Sequence, residues 1–220
     1  MTLAPLSPTP RSTVRRGANR ARTDRDDLHA VLDAGYVCHL GVLLGGAPVV
    51  LPTAYGRVDD VLYLHGSTGS ASIRAAATGS PVSVAVTLLD GVVHARSVFH
   101  FSMNYRSAVV HGTARLVADP DERLVGLRAV TEQIAPGAWD YARSPSRKEL
   151  AATAVLALDL TEASVKIRIG PPVDDEGDVR DSPEVWAGVV PLQMTAGEPQ
   201  ACPTVPPGTE TPRHIRIAPN

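Results

Sequence analysis

Aromatic side chains are scarce in this chain of 220 residues: two Trp, five Tyr and two Phe make up 4% of it. Hydrophobic residues still reach 44%. A sizeable core is therefore available, built mainly from Val, Leu, Ala and Ile, and its β-branched share favours strands. Cysteine occurs only at Cys38 and Cys202, too far apart and too few for a disulfide framework. Cys38 stands in an apolar run and is expected to be a buried thiol. Lysine is confined to Lys148 and Lys166, and the formal net charge is −2. That balance argues against nucleic acid as the main ligand, which needs a clustered positive surface. There is no HExxH or paired-cysteine pattern, so no metal centre is expected. There is no GxSxG elbow for a hydrolase triad. A GxGxxG fingerprint is missing too, so NADH or NADPH would bind only transiently, as an electron donor. No apolar run reaches the roughly 18 residues of a membrane span, and the first residues show no secretory pattern. A cytoplasmic protein without a membrane partner is expected. The Ala-, Arg- and Val-rich usage suits a high-GC bacterium.

What is present reads mostly as strands with short turns. Residues 1–22, rich in Pro, Ser, Thr and Arg, lack periodicity and read as a flexible arm. Asp24 or Thr23 caps a helix carrying Leu28, Val31 and Leu32, which Gly35 ends. A hairpin turns at Gly45-Gly46, and a second turn at Asp59-Asp60 leads into Val61 to Leu64. A short helix over 70–77 precedes a strand over 81–89. Asp90-Gly91 then reads as a hairpin turn, with strands over 92–97 and 105–117 beyond it. Pro120 to Ile134, with acidic residues first and apolar residues at helical spacing, reads as a helix, and two strands, 154–160 and 165–169, close the domain. Strands outnumber helices about two to one, and short turns favour antiparallel neighbours. The expected fold is mainly β with peripheral helices, a closed or partly closed antiparallel barrel over residues 23–170. Residues 171–220 read as an extended tail that packs on the barrel or on a partner subunit.

Two polar stretches interrupt the apolar runs. The first is Leu64-His65-Gly66-Ser67-Thr68-Gly69-Ser70, a strand end running into a helix start. Hydroxyls and backbone N–H groups can converge there on an anion, favoured by the helix dipole. The second is Asn104-Tyr105-Arg106-Ser107, whose guanidinium can complete such a site with charge-assisted hydrogen bonds. Together they point to a phosphorylated small-molecule cofactor. Strand alternation places Tyr105 and Ser107 on one face and Arg106 on the other.

These stretches sit within a set of short motifs in a recognisable order: Val50-Leu51-Pro52-Thr53-Ala54-Tyr55, Leu62-Tyr63-Leu64-His65-Gly66-Ser67, Gly79-Ser80-Pro81-Val82, and Ser102-Met103-Asn104-Tyr105-Arg106-Ser107 followed by Gly112-Thr113-Ala114. Over residues 22–170 the chain resembles the FMN-binding split-barrel family of pyridoxamine 5'-phosphate oxidase, most closely its nitroimidazole-reductase-like branch. Trp186-Ala187-Gly188-Val189 is similar to the C-terminal segment of related proteins. The resemblance implies an antiparallel split β-barrel and a homodimer with one flavin per subunit at the interface. It also implies an FMN-dependent oxidoreductase acting on a small molecule, with nitroreductase-like activity as the family-level expectation. Carried over by position, Pro52, Thr53, Ala54 and Tyr55 line the flavin ring. His65, Gly66, Ser67, Thr68, Ser70 and Ser72 approach the ribityl phosphate, and Tyr105, Arg106 and Ser107 close the site. His65 is the candidate catalytic residue, a donor or acid beside the reducible group. The basic residue that related sites carry just after this segment is replaced by Ala71 and Ser72. FAD, a deazaflavin or haem therefore stay open as alternatives to FMN. So does a non-catalytic protein that carries or senses flavin or haem.

Overall fold

The computed structural model describes residues 5–6 and 8–215. In chain order its elements are β1 (Ala21–Arg22), α1 (Arg25–Ala34), β2 (Cys38–Leu44), β3 (Ala47–Thr53), β4 (Tyr55–Val58), β5 (Val61–Ser67), α2 (Ala71–Ala77), β6 (Pro81–His94) and β7 (Ser102–Thr113). There follow β8 (Arg115–Leu116), α3 (Pro120–Ile134), α4 (Ala138–Tyr141), α5 (Arg147–Ala152), β9 (Thr153–Asp159), β10 (Glu162–Arg168), α6 (Glu176–Asp181) and β11 (Gly188–Pro191).

Local chemistry sets many of these boundaries. The Asp24 carboxylate accepts from the Asp26 N–H at the start of α1, and Asp119 does the same for α3, where Pro120 takes the first helical position. Gly45 and Gly46 both adopt positive φ, which lets β2 and β3 turn back on one another in register. The strands form two antiparallel sheets. One runs β1-β10-β7-β6-β2-β3, with β11 also paired to β6; the other runs β4-β5-β9-β8. The chain passes from the larger sheet to the smaller at two alanines, Ala54 and Ala114, and returns through α2 and through the turn between β9 and β10. This is the expected mainly antiparallel split-barrel fold with peripheral helices. Period-2 alternation directs Leu40, Val84, Val110, Leu64, Leu156 and Val165 into one shared core, which α1 covers with Leu28, Val31 and Leu32.

On its other face the four-stranded sheet carries α3 over a smaller cluster around Tyr63, Val117, Val130 and Val155. Two glycines make that approach possible. A Cβ on Gly56 of β4 would lie 2.2 Å from the Ala129 carbonyl carbon of α3, and one on Gly126 would lie 2.7 Å from the Tyr63 ring. The Gln133 amide then ties α3 to the end of α1 by donating to the Leu32, Asp33 and Gly35 carbonyls.

Two expectations need correction. Asp90-Gly91 is no hairpin turn: β6 runs unbroken through it, with a shift of register between Leu89 and Gly91. β11 covers this stretch, and a Cβ on Gly91 would meet Val189 at 2.9 Å, so glycine is required by close packing and not by a turn. The described part of the 1–22 arm is held down, its residues 1–4 and 7 lying outside the described ones. Leu6 is buried, β1 pairs with the edge of β10, and Arg11 grips Glu162 through two hydrogen bonds of 2.9 and 2.6 Å. Beyond residue 170, β11 adds a strand to the larger sheet, and the Asp174 carboxylate accepts from both the backbone and the side chain of Arg96.

Candidate functional site

Along β5, alternation sends Leu62 and Leu64 into the main core, and Tyr63 and His65 toward α3. Just past Tyr63 the face opens into a cavity of about 490 Å³. His65 forms one wall; Leu127, Thr131, Trp139, Arg143, Leu150 and Thr153 are among the others. The helices around it are fixed by their own ends. The Glu132 carboxylate accepts from the Gly137 and Trp139 N–H groups at 2.7 and 3.0 Å, which sets Trp139 in place. Ser146 and Glu149 form a reciprocal capping box at the start of α5.

Most polar groups lining the cavity are already committed. The Thr131 and Thr153 hydroxyls donate to the Leu127 and Glu149 carbonyls. Arg143 forks onto Glu149 at 2.6 and 2.9 Å, which holds that carboxyl well below its usual range. His65 differs: its Nδ1 is buried and has no hydrogen-bond partner among the described residues. Burial pushes the imidazole pKa below its ordinary 6.5, so the neutral ring with a free lone pair is the resting form. An unpartnered buried polar atom is costly, and it leaves the His65 ring held by no hydrogen bond of the protein's own.

The structure places the other expected site residues as follows. Tyr55 is fully buried, and its hydroxyl donates to the Leu32 carbonyl. That corrects its expected place against the flavin ring: a phenol enclosed by core cannot line a ligand. Pro52 is exposed on β3, Thr53 is half-buried, and Ala54 packs against the smaller cluster under α3. Gly66 is where α2 closes on β5, since a Cβ there would meet Ile73 at 2.7 Å. Ser67 accepts from the Gly69 N–H, Ser70 caps α2, and Ser70 and Ser72 bond each other at 2.9 Å. Thr68 is exposed, and its N–H donates to the Ala152 carbonyl. Arg106 is gripped by Asp90 through bonds of 2.7 to 3.2 Å. Asp90 is the residue whose misreading as a turn hid this pair. The Ser107 hydroxyl donates to the Lys166 carbonyl, and Tyr105 lies half-buried beside it on β7. Ser67 and Ser70 belong to the smaller sheet's end and Arg106 to the larger sheet, and the 490 Å³ cavity includes none of the three. Among the described residues no hydrogen bond joins Arg106 to these hydroxyls; Arg106 is paired with Asp90, and Ser67, Ser70 and Ser72 bond within their own segment.

Sequence reading missed α4 and α5 and with them Trp139, Arg143 and Leu150. The Ser146-x-x-Glu149 pattern was the available signal. Cys38 is buried as expected, and desolvation drives its thiol pKa up to about 12. Among the described residues one group brings metal-ligand atoms within 4.8 Å of one another: His100, Asp175 and Asp178. No described helix is long and apolar enough to cross a membrane.

Comparison with known proteins gives this site a context. The family model described as pyridoxamine 5'-phosphate oxidase matches residues 24–167. The flavocytochrome Anf3 of Azotobacter vinelandii is 37% identical, with a TM-score of 0.89 over 96% of this chain and 97% of that one. A FAD- and haem-binding protein of Mycobacterium smegmatis is 42% identical, with a TM-score of 0.84 over 89% and 95%. A candidate 5-nitroimidazole antibiotic resistance protein of Bacteroides thetaiotaomicron shares the fold at 20% identity, with a TM-score of 0.57 over 67% and 86%. A comparison with curated proteins gives no match. The match over residues 24–167, with two relatives aligned over nearly the whole chain, shows that this protein belongs to the pyridoxamine 5'-phosphate oxidase family.

Proposed function

We propose that the chain is a flavin-dependent oxidoreductase that also takes haem, with His65 as the residue that would hold the haem iron. The observation that carries this reading is the neutral imidazole of His65 in the wall of the 490 Å³ cavity: Nδ1 is closed off and Nε2 has no hydrogen-bond partner among the described residues, so Nε2 is the nitrogen left to a ligand. Neutral imidazole is the form that ligates iron, through either ring nitrogen. The donor set fits: one free histidine, apolar surface from Leu127, Trp139 and Leu150, and the Thr131, Thr153, Arg143 and Glu149 side chains satisfied internally. The two relatives above 30% identity, named as a flavocytochrome and as a FAD- and haem-binding protein, support the same pairing of cofactors. The second of them favours FAD over the FMN expected from sequence. Bound flavin and haem supply hydride and one-electron transfer. The protein's part is to present the His65 lone pair, hold the ring neutral and keep the pocket dry.

The test is the visible spectrum of the full chain, as purified and after addition of haemin and FAD. Oxidised flavin bands near ~375 and ~450 nm and a Soret band near ~410 nm are expected, with the ~450 nm band bleaching on addition of NADH or NADPH. A spectrum that is the plain sum of free cofactors and colourless protein would rule the reading out.

The functional unit we propose is a homodimer. Val98 and Phe99, in the β6–β7 connection, are 90% and 86% exposed, and Trp186 also stands largely in solvent. Apolar side chains of that size in one region mark an interface, and a second copy is the occupant we assign. Sedimentation should show a dimer that Phe99→Asp shifts toward monomer; a monomeric wild-type chain would contradict it.

A further inference from the structure

Arg168, the last residue of β10, is only 8% exposed. Its Nη1 donates to the Asn104 side-chain oxygen and to the Gly170 carbonyl, and its Nη2 to the Pro171 carbonyl. All three acceptors are uncharged. A guanidinium carries five N–H groups, so Nε–H and one Nη2–H are left over. Those two share the edge that grips two oxygens of one anion. Elsewhere in the molecule this same edge is filled by a carboxylate: Arg57 turns it on Asp33 and Arg106 on Asp90. Arg168 has no carboxylate partner among the described residues.

Its surroundings add positive charge. Arg20 and Lys166 lie together over Gly17, where a Cβ would be 3.6 Å from the Arg20 Cδ and 3.5 Å from the Lys166 Nζ; burial first, and the charge of Arg20 next, hold the Arg168 pKa below its ordinary value. Lys166, two residues earlier on β10, donates from Nζ to the Arg16 carbonyl of the arm. Tyr105 lies directly across from Arg168 in the β7–β10 register, and Ser107 across from Lys166, so these four share one face of the sheet. A buried charge without a counterion is a standing cost to the fold. Three carbonyls satisfy part of the guanidinium but neutralise none of it.

We propose that Arg168 and Arg20 form an oxyanion site for a phosphoryl group, with the open edge of Arg168 as the bidentate donor. This is the phosphate contact that sequence reading gave to Arg106. Assigning the phosphoryl group to a flavin rests on the function proposed above; the anion site itself does not.

The full chain, free of flavin, is titrated with inorganic pyrophosphate by calorimetry at constant ionic strength. One saturable site is expected. Arg20→Gln, at a half-buried position outside the core, should weaken it roughly tenfold, the effect of one charge-assisted contact. Arg168→Lys keeps a charge but loses the fork, and should weaken it at least as much. Arg106→Gln, which breaks only the pair with Asp90, should bind as the wild type does. Absence of saturable binding overturns the proposal, as does wild-type affinity in Arg20→Gln and Arg168→Lys, or an equal loss in Arg106→Gln. Competition by FMN or FAD but not by riboflavin identifies the flavin phosphate as the source; pyrophosphate binding indifferent to all three identifies a free oxyanion. Flavin binding that survives both Arg20→Gln and Arg168→Lys removes this site while leaving the flavin reading intact.

Discussion

Gly56→Ala should cost the protein more than about 3 kcal/mol of stability, the upper end of what overpacking exacts. The reason is the nature of the obstacle. The added methyl would sit 2.2 Å from the Ala129 carbonyl carbon, 2.3 Å from its oxygen and 2.5 Å from the Val130 nitrogen. All three are helix backbone. A flexible side chain could swing aside, but here α3 must lift off β4 as a body. That helix also touches the neighbouring β5 and β9, so the displacement cannot stay local. Against a typical total of about 5–15 kcal/mol, and at roughly 2–4 °C per kcal/mol for a domain of this size, the midpoint should fall by about 6–12 °C or more. Gly45→Ala is the matched control. Gly45 sits at φ 57° with nothing within 4 Å of a Cβ, so only left-handed strain of about 1–2 kcal/mol applies. Thermal unfolding followed by circular dichroism compares the two. A Gly56→Ala midpoint no lower than that of Gly45→Ala would mean that α3 does not rest on β4. Since α3 contributes Leu127 and Thr131 to the cavity, the variant should also bind haem more weakly while still folded.

What the sequence disclosed and what it hid divide along sequence separation. Asp24, Ser70 and Asp119-Pro120 cap helices through bonds to residues two or three positions away, and such signals are complete within a short window. The Gly45-Gly46 turn and the alternation of β2, β5 and β9 are equally local. Asp90-Gly91 carried a turn signal because that dipeptide usually makes one. Its actual roles are to take Arg106 across the sheet and to admit β11, some 100 residues later in the chain. The arm looked disordered by composition, yet its anchors are Glu162 and the edge of β10. No window centred on the arm contains them. The site followed the same rule. His65 was picked out because it ends a strand beside a Gly-Ser run, at the place where the family resemblance puts a histidine near the flavin. Trp139 and Leu150 were invisible as its neighbours, since only the packing of α3 on Gly56 brings them there. Arg168 was passed over because its distinction is an absence, the lack of a carboxylate, which only the folded chain displays.

His65→Ala should abolish the Soret band while leaving the apoprotein as stable as before or slightly more so. These two outcomes together separate a ligand from a core histidine. A histidine that serves packing makes hydrogen bonds, and deleting it strands their partners at about 1–3 kcal/mol. His65 Nδ1 has no such partner, so alanine removes an unsatisfied atom and some buried surface, two effects of opposite sign. The pH dependence gives an independent check. Burial lowers the folded-state pKa of His65, so below the ordinary value of 6.5 the unfolded chain takes up the proton more readily than the folded one. Wild-type stability should therefore be full above that pH and should decline as pH falls through it. His65→Ala should lack this part of the decline, so the difference in unfolding free energy between the two chains should shift in favour of the variant between pH 7 and pH 5. Urea unfolding at the two pH values measures it, and haemin titration of both chains at pH 7 measures ligation. A variant that retains the Soret band, or one whose stability follows the wild type in parallel from pH 7 to pH 5, would return His65 to the ranks of ordinary strand-end residues and leave the cavity without its ligand.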